Sequence, residues 1–153
     1  MAMRICLMLG CALAFAGLTA QAQAAAQKPV IEIRAVVDCA ASGSIPLPPA
    51  QSGGCMAPAA IVKGADFTGI GHLRYGRGND KLVVAMSAAA HGRYLAFTRA
   101  HLLQAEAILI DGRVVGTPVI VQPEQADALE IAGLTAAQID ALVTRFRAPT
   151  HGG

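Results

Sequence analysis

The residues with the chemistry to support a reaction or a metal are few. His72, His91 and His101 could in principle gather around a metal ion. None stands at the i, i+4 or H-x-H spacing that puts two imidazoles on one ion, and no carboxylate accompanies them, so they read as surface or capping residues. Ser42, Ser44, Ser52 and Ser87 include no G-x-S-x-G elbow, which a serine hydrolase of that type needs to expose its nucleophile. Gly69-x-Gly71, in "GADFTGIGHLRYGRG", lacks the third glycine and the strand-to-helix context of a dinucleotide loop, so its glycines read as turns or bulges. Asp111 precedes Gly112 between two apolar runs, where a turn aspartate is the ordinary explanation. Cys39 and Cys55 are too far apart for a C-x-x-C redox pair and have no histidine beside them. No catalytic, cofactor-binding or metal-ligating set emerges, and the chain is expected to be non-enzymatic.

The beginning of the chain bears on those cysteines. Arg4 precedes an apolar run from Ile5 to Leu18, followed by Ala20-Gln21-Ala22 and Ala22-Gln23-Ala24, both small-x-small cleavage patterns. This is the pattern of a secretory signal peptide, with cleavage expected after Ala24. The run is shorter than the roughly 20 residues of a membrane span, and no later run is longer or more apolar. Cys11 lies inside the run rather than at its end, which disfavours lipid attachment. Cys6 and Cys11 would leave with the leader. In a periplasmic or secreted chain Cys39 and Cys55 are then expected to pair, closing the unpatterned loop "AASGSIPLPPAQSGG". With 12 basic and 10 acidic side chains the formal charge is +2, and about +1 once Arg4 is removed. That near-balance argues against a nucleic-acid partner, which calls for a basic stripe.

The elements follow from periodicity. "VIEIRAVV", Val30 to Val37, alternates and is rich in branched residues, which predicts a strand. Ala60 to Val62 is a brief candidate. Phe67 to Tyr75 and Lys81 to Met86 flank the turn-like "GRGND" and predict a hairpin. Ser87 is a suitable N-cap for a helix over "AAAHGRYLAFTRAHLLQ", with Tyr94, Phe97, Thr98 and His101 or Leu102 on one face and Leu95 widening it. "AEAILI" and "VVGTPVIV" predict two strands around Asp111-Gly112. Pro118 lacks an N–H, so the second strand should lie at an edge or bulge near Gly116. "ALEIAG" predicts a short strand. "LTAAQIDALVTRFRA" predicts a helix with a Thr135–Gln138 capping box, an Ile139, Leu142, Val143 and Phe146 face, and Arg145 and Arg147 at its C-terminus. Strands linked as hairpins, with two helices, imply an α+β fold: a mainly antiparallel sheet with both helices on one face.

The segment "YLAFTRAHLLQAEAILIDGRVVGTPVI" resembles the head of the large periplasmic domain of SecD, the protein-export membrane subunit. The matching residues are Tyr94, Phe97, Thr98, Asp111, Gly112, Thr117, Pro118, Val119 and Ile120, ungapped from Thr98 to Pro118. "EIAGLTAAQIDAL" is similar to the start of that family's last helix through Ile131, Gly133 and Thr135, and "VIEIRAVV" to its opening strand through Arg34. Leu103 stands where the family often has glycine, Glu106 where it has an apolar residue, and "PEQADA" where it has a glycine-rich turn. The transmembrane helices of SecD are missing. The resemblance implies the α+β head fold and an organisation of signal peptide 1–24, strand and disulfide-closed loop 25–58, head-like domain 59–148 and tail 149–153.

The resemblance also implies a function: an exported module that binds protein, either translocating polypeptide or the export machinery. An edge strand over Val114 to Val121 offers a physical route by strand addition, although Pro118 removes one donor. A structural or self-associating accessory docking to a membrane complex is the alternative, and a small hydrolase or ligand-binding protein a third reading. Arg74, Arg77 and Arg113 are candidate partner contacts; the local cluster of Arg74, Arg77 and Lys81 otherwise reads as a solvated face.

Overall fold

The structure is a computed structural model that describes residues 28–51, 53–76 and 78–148. The expected signal peptide, the serine Ser52, the contact candidate Arg77 and the tail 149–153 lie outside the described residues.

Strand β1 (Ile31–Val37) turns Ile31 and Ile33 into the core, with 1% and 0% of their surface exposed. Its two edges are both taken, by β3 (Cys55–Lys63) and by β6 (Glu106–Ile110). The short β2 (Ile45–Pro46) joins β3, and β7 (Arg113–Gly116) joins β6, giving an antiparallel sheet in the order β2-β3-β1-β6-β7. Asp111 and Gly112 have φ of 51° and 75°. Positive φ at both central residues suits the two-residue turn whose twist matches the flanking strands. β7 is an end strand, and its register slips between Ile108 and Leu109. Both features expected from Pro118, an edge and a bulge near Gly116, are present. The strand is shorter than the run to Val121, however: regular pairing stops at Gly116, and the chain rejoins β6 only through an isolated bridge between Ala105 and Val119.

A second sheet, in the order β4-β5-β8, comprises β4 (Phe67–Arg74), β5 (Asp80–Met86) and β8 (Ala128–Ile131), all antiparallel. Leu82, Val84 and Met86 alternate inward along β5. The α+β, mainly antiparallel reading therefore holds, but the strands divide into two sheets rather than one. A division of the chain at residue 58 falls inside β3, which runs unbroken from Cys55 to Lys63.

Helix α1 (Ala88–Ala100) starts at Ser87, whose hydroxyl accepts from the Ala90 N–H at 3.3 Å. It buries Ala90, Tyr94 and Thr98, one residue per turn. Leu102 does not extend that face as the periodicity suggested: the helix ends at Ala100 and Leu102 is 45% exposed. Helix α2 (Ala136–Arg147) has the full Thr135–Gln138 capping box and buries Ile139, Leu142 and Val143. Both helices share one core with Ile31, Ile33, Leu82, Val84, Ile108 and Ile131. Because the box satisfies two otherwise orphaned N–H groups, Thr135→Ala is expected to cost about 1 kcal/mol, read as a lower urea midpoint at unchanged slope.

The opposite face of the five-stranded sheet is covered separately. Met56, Ala107 and Leu109 pack there with Leu47, which comes from the loop after β1. Cys39 and Cys55 are bonded, with Cα atoms 5.0 Å apart. The bond closes the loop that carries Leu47 across that face.

Candidate functional site

β7 ends one sheet and β8 ends the other, and the chain after β7 shares a recess with β8, lined by Pro118 to Val121 on one side and by Leu129 and Glu130 on the other. At the bridge, Glu106 N–H donates to Pro118 C=O and Ile120 N–H donates to Gln104 C=O, at 3.0 and 2.9 Å. Those bonds flank Val119, so its own N–H and C=O point away from β6, to the open side. Val119 and Val121 are 53% and 76% exposed. Beside them Leu103, 80% exposed, holds φ of 63°, a conformation that L residues adopt at a cost, and donates its N–H to Ile120 C=O. The result is an apolar rim along unpaired backbone.

Gly133, with φ of 87°, crosses this seam; a Cβ there would lie 3.5 Å from the Val115 carbonyl oxygen. A recess opens on either side. The larger, about 320 Å³, lies between β7 and α2, over Val114, Val115, Leu134 and Leu142. Arg113 and the Asp111–Arg145 ion pair border it, with Arg145 Nη1 2.7 Å from Asp111 Oδ2. Asp111 also accepts from the Val30 N–H at 3.0 Å, so the hairpin turn fastens the start of β1 and the last turn of α2 together. Partial burial pushes the Asp111 carboxyl up, but Arg145 and the Val30 N–H outweigh it and hold it below its ordinary value. Asp111 thus does more than form a turn, a role that depends on two residues remote in sequence.

The smaller recess, about 210 Å³, lies between Pro118–Val121 and β8, with Tyr94, Thr98 and Glu106 among its walls. Glu106 is only 3% exposed. It projects to the same side of β6 as Ile108 and Ile110, by the two-residue period of a strand. Tyr94 donates its hydroxyl proton to Glu106 Oε1 at 2.7 Å, whereas Oε2 is buried with no hydrogen-bond partner among the described residues. Loss of hydration pushes the Glu106 carboxyl up to about 7, reinforced by the Glu124 charge and opposed by the Tyr94 bond. Burial, and then Glu106, likewise push the Tyr94 phenol up. Thr98 accepts the Glu124 N–H at 3.0 Å and donates to Leu95 C=O, tying α1 to the loop before β8.

The other residues singled out in the sequence are dispersed. Arg74 sits at the end of β4 and pairs with Asp140 of α2 at 3.1 Å, whereas Arg113 belongs to the other sheet. His72 is held between Asp140, at 2.7 Å from Nδ1, and Asp80, at 3.3 Å from Nε2. It is a half-buried link between α2 and the β4–β5 hairpin. The His72 bond and the Arg74 charge hold the Asp140 carboxyl down. His101 stacks on Phe97 and bonds its carbonyl, closing α1. Phe97 packs against the core beside Tyr94. No group of three or more His, Cys, Asp and Glu side chains suited to a metal occurs among the described residues. Nor is any described helix long and apolar enough to cross a membrane. Glu106 carried one signal in the sequence, an acid where the resembled family has an apolar residue; Glu124 carried none.

No protein-family model matches the sequence, and no curated protein matches it. Solved structures do. One is of SecDF, described as a membrane component that enhances protein export, with a TM-score of 0.64 at 20% identity over 89% of this chain and 72% of that chain. A second is SecDF in a super-membrane-facing form, with a TM-score of 0.58 at 21% identity over 87% of this chain and 22% of that one. A third, SecDF from Thermus thermophilus, described as a translocon-associated membrane protein, has a TM-score of 0.51 at 21% identity over 87% and 21%. This chain spans about a fifth of the length of the latter two. The shared sheet-and-helix arrangement makes the fold of this protein that of a SecD/SecDF-like domain.

Proposed function

We propose that this protein is an exported, non-enzymatic module that binds extended polypeptide along the seam between its two sheets. The observation that carries this reading is the open edge after β7, where Val119 turns its N–H and C=O outward within an apolar rim. An extended segment laid there gains main-chain hydrogen bonds and covers exposed valines and leucines, the physics of strand addition. The likeness to SecDF, which enhances protein export, supports exported chains or the export machinery as the partner class. The Cys39–Cys55 bond supports an oxidising compartment.

Val119→Pro removes the outward donor and takes no donor or acceptor from the bonds of Pro118 with Glu106 and of Ile120 with Gln104. Binding of unfolded, exported-type peptides, followed by fluorescence anisotropy, is expected to weaken about threefold to tenfold in that variant. No detectable binding by the unaltered protein at high micromolar peptide rejects the reading. A single stoichiometric partner in solubilised envelopes, with no peptide binding, favours instead an accessory docking to a membrane complex.

A further inference from the structure

We propose that the recess beneath Val119 is a receptor for a basic side chain, the ammonium of lysine or the guanidinium of arginine, presented by the polypeptide that the seam binds. The proposal rests on strand addition at that seam and specifies which side chain the added strand places there.

Three carboxyl-bearing residues, Glu106, Glu124 and Glu130, line this recess, and none of its lining residues is Lys, Arg or His. Two of the three acids already have uses. Glu124 accepts the Ala126 N–H through its side chain at 3.0 Å, and Glu130 accepts the Tyr75 hydroxyl at 3.2 Å. Glu106 is different. It is almost wholly buried, its Oε1 is fixed by Tyr94, and its Oε2 has no hydrogen-bond partner among the described residues. A buried oxygen without a partner costs more than the net worth of an ordinary hydrogen bond, so a ligand supplying an N⁺–H donor to it gains disproportionately. A cation also offsets the repulsion that the Glu124 charge exerts on Glu106, whereas an anion or an apolar group would not.

The geometry suits a side chain carried on a strand. Val119, whose backbone groups face outward, lines the same recess as Glu106. Successive side chains of an added strand point to opposite sides, so a residue beside Val119 can direct one side chain into the recess while its neighbours stay outside. About 210 Å³ admits an alkyl ammonium or guanidinium side chain. Apolar Ile108, Ile120 and Leu129 also line the recess and suit the methylene stem.

The test compares two short unstructured peptides, identical except that a central lysine is norleucine in one, near pH 8 where the Glu106 carboxyl is mostly ionised. The unaltered protein is expected to bind the lysine peptide about tenfold more tightly, and Glu106→Gln to bring the two affinities together without weakening the norleucine peptide. Equal affinities in the unaltered protein overturn the receptor and leave strand addition standing. If neither peptide binds, strand addition fails, and titration with n-butylammonium decides the recess. Amide shifts at Thr98 and Leu129 that vanish in Glu106→Gln sustain a cation receptor; their absence in the unaltered protein overturns it.

Discussion

Glu106→Gln is expected to remove a stability loss of about 2–3 kcal/mol that the unaltered protein suffers between about pH 4.5 and pH 7. The carboxyl titrates near 4.5 when free and is pushed up to about 7 in the fold. Between those values the folded state keeps a proton that the unfolded chain has released. Stability is therefore full below the free value and declines as pH rises through the folded one, beyond which the loss is complete. Glutamine stays neutral, can still accept from Tyr94, and has no such window. Asp66, Asp111 and Asp140 are all held below their ordinary values, so their effects fall at more acidic pH, outside this window. The measurement is the urea midpoint of both proteins at about pH 5 and pH 8, taken as a difference of differences so that groups common to both cancel. Equal changes in the two proteins would show that Glu106 is hydrated in the folded state and would remove the physical basis of the Glu106 recess as described.

Breaking the Cys39–Cys55 bond has a comparable expected effect. The double variant Cys39→Ser, Cys55→Ser frees a loop closed across a sequence separation of 16, worth very roughly 3 kcal/mol in the chain-entropy description. A second contribution is enthalpic and local. The closed loop holds Leu47 over Met56, Ala107 and Leu109, and a freed loop leaves that face of the sheet less well covered. The check is thermal melting with and without reductant, together with the double variant. A reduced protein that melts with the oxidised one would mean that Leu47 and β2 hold the loop unaided. Hydrogen exchange at Leu109 separates the contributions, since loss of cover raises it while a purely unfolded-state effect lowers only global stability.

The sequence was most legible where structure is local. Both helix N-caps, the β4–β5 hairpin, the Asp111–Gly112 turn and the edge position of β7 follow from short-range patterns, because capping and turn chemistry are decided within a few residues. What was hidden is long-range. Nothing near Glu106 signals that Tyr94 comes within 2.7 Å of it, and nothing near Asp111 signals Arg145. The division into two sheets was hidden for the same reason: β8 extends the β4–β5 hairpin rather than the strands just before it in the chain. The length of β3 was missed because Met56 to Ala60 lacks alternation, and its register against β1 slips twice. The seam itself belongs to neither sheet alone. It arises where β7 and β8 terminate, so no single motif carries it.

The place of β1 has a further consequence. It is the middle strand of its sheet, zipped on one side to β3 and on the other to β6, with Ile33 opposite both Val62 and Ile108. Any fragment that stops short of Ile110 leaves one whole flank of β1 bare and half of its isoleucine layer wet. Severing the polypeptide between β5 and α1 therefore yields no self-sufficient half; the first described strand is completed only by one made after α1.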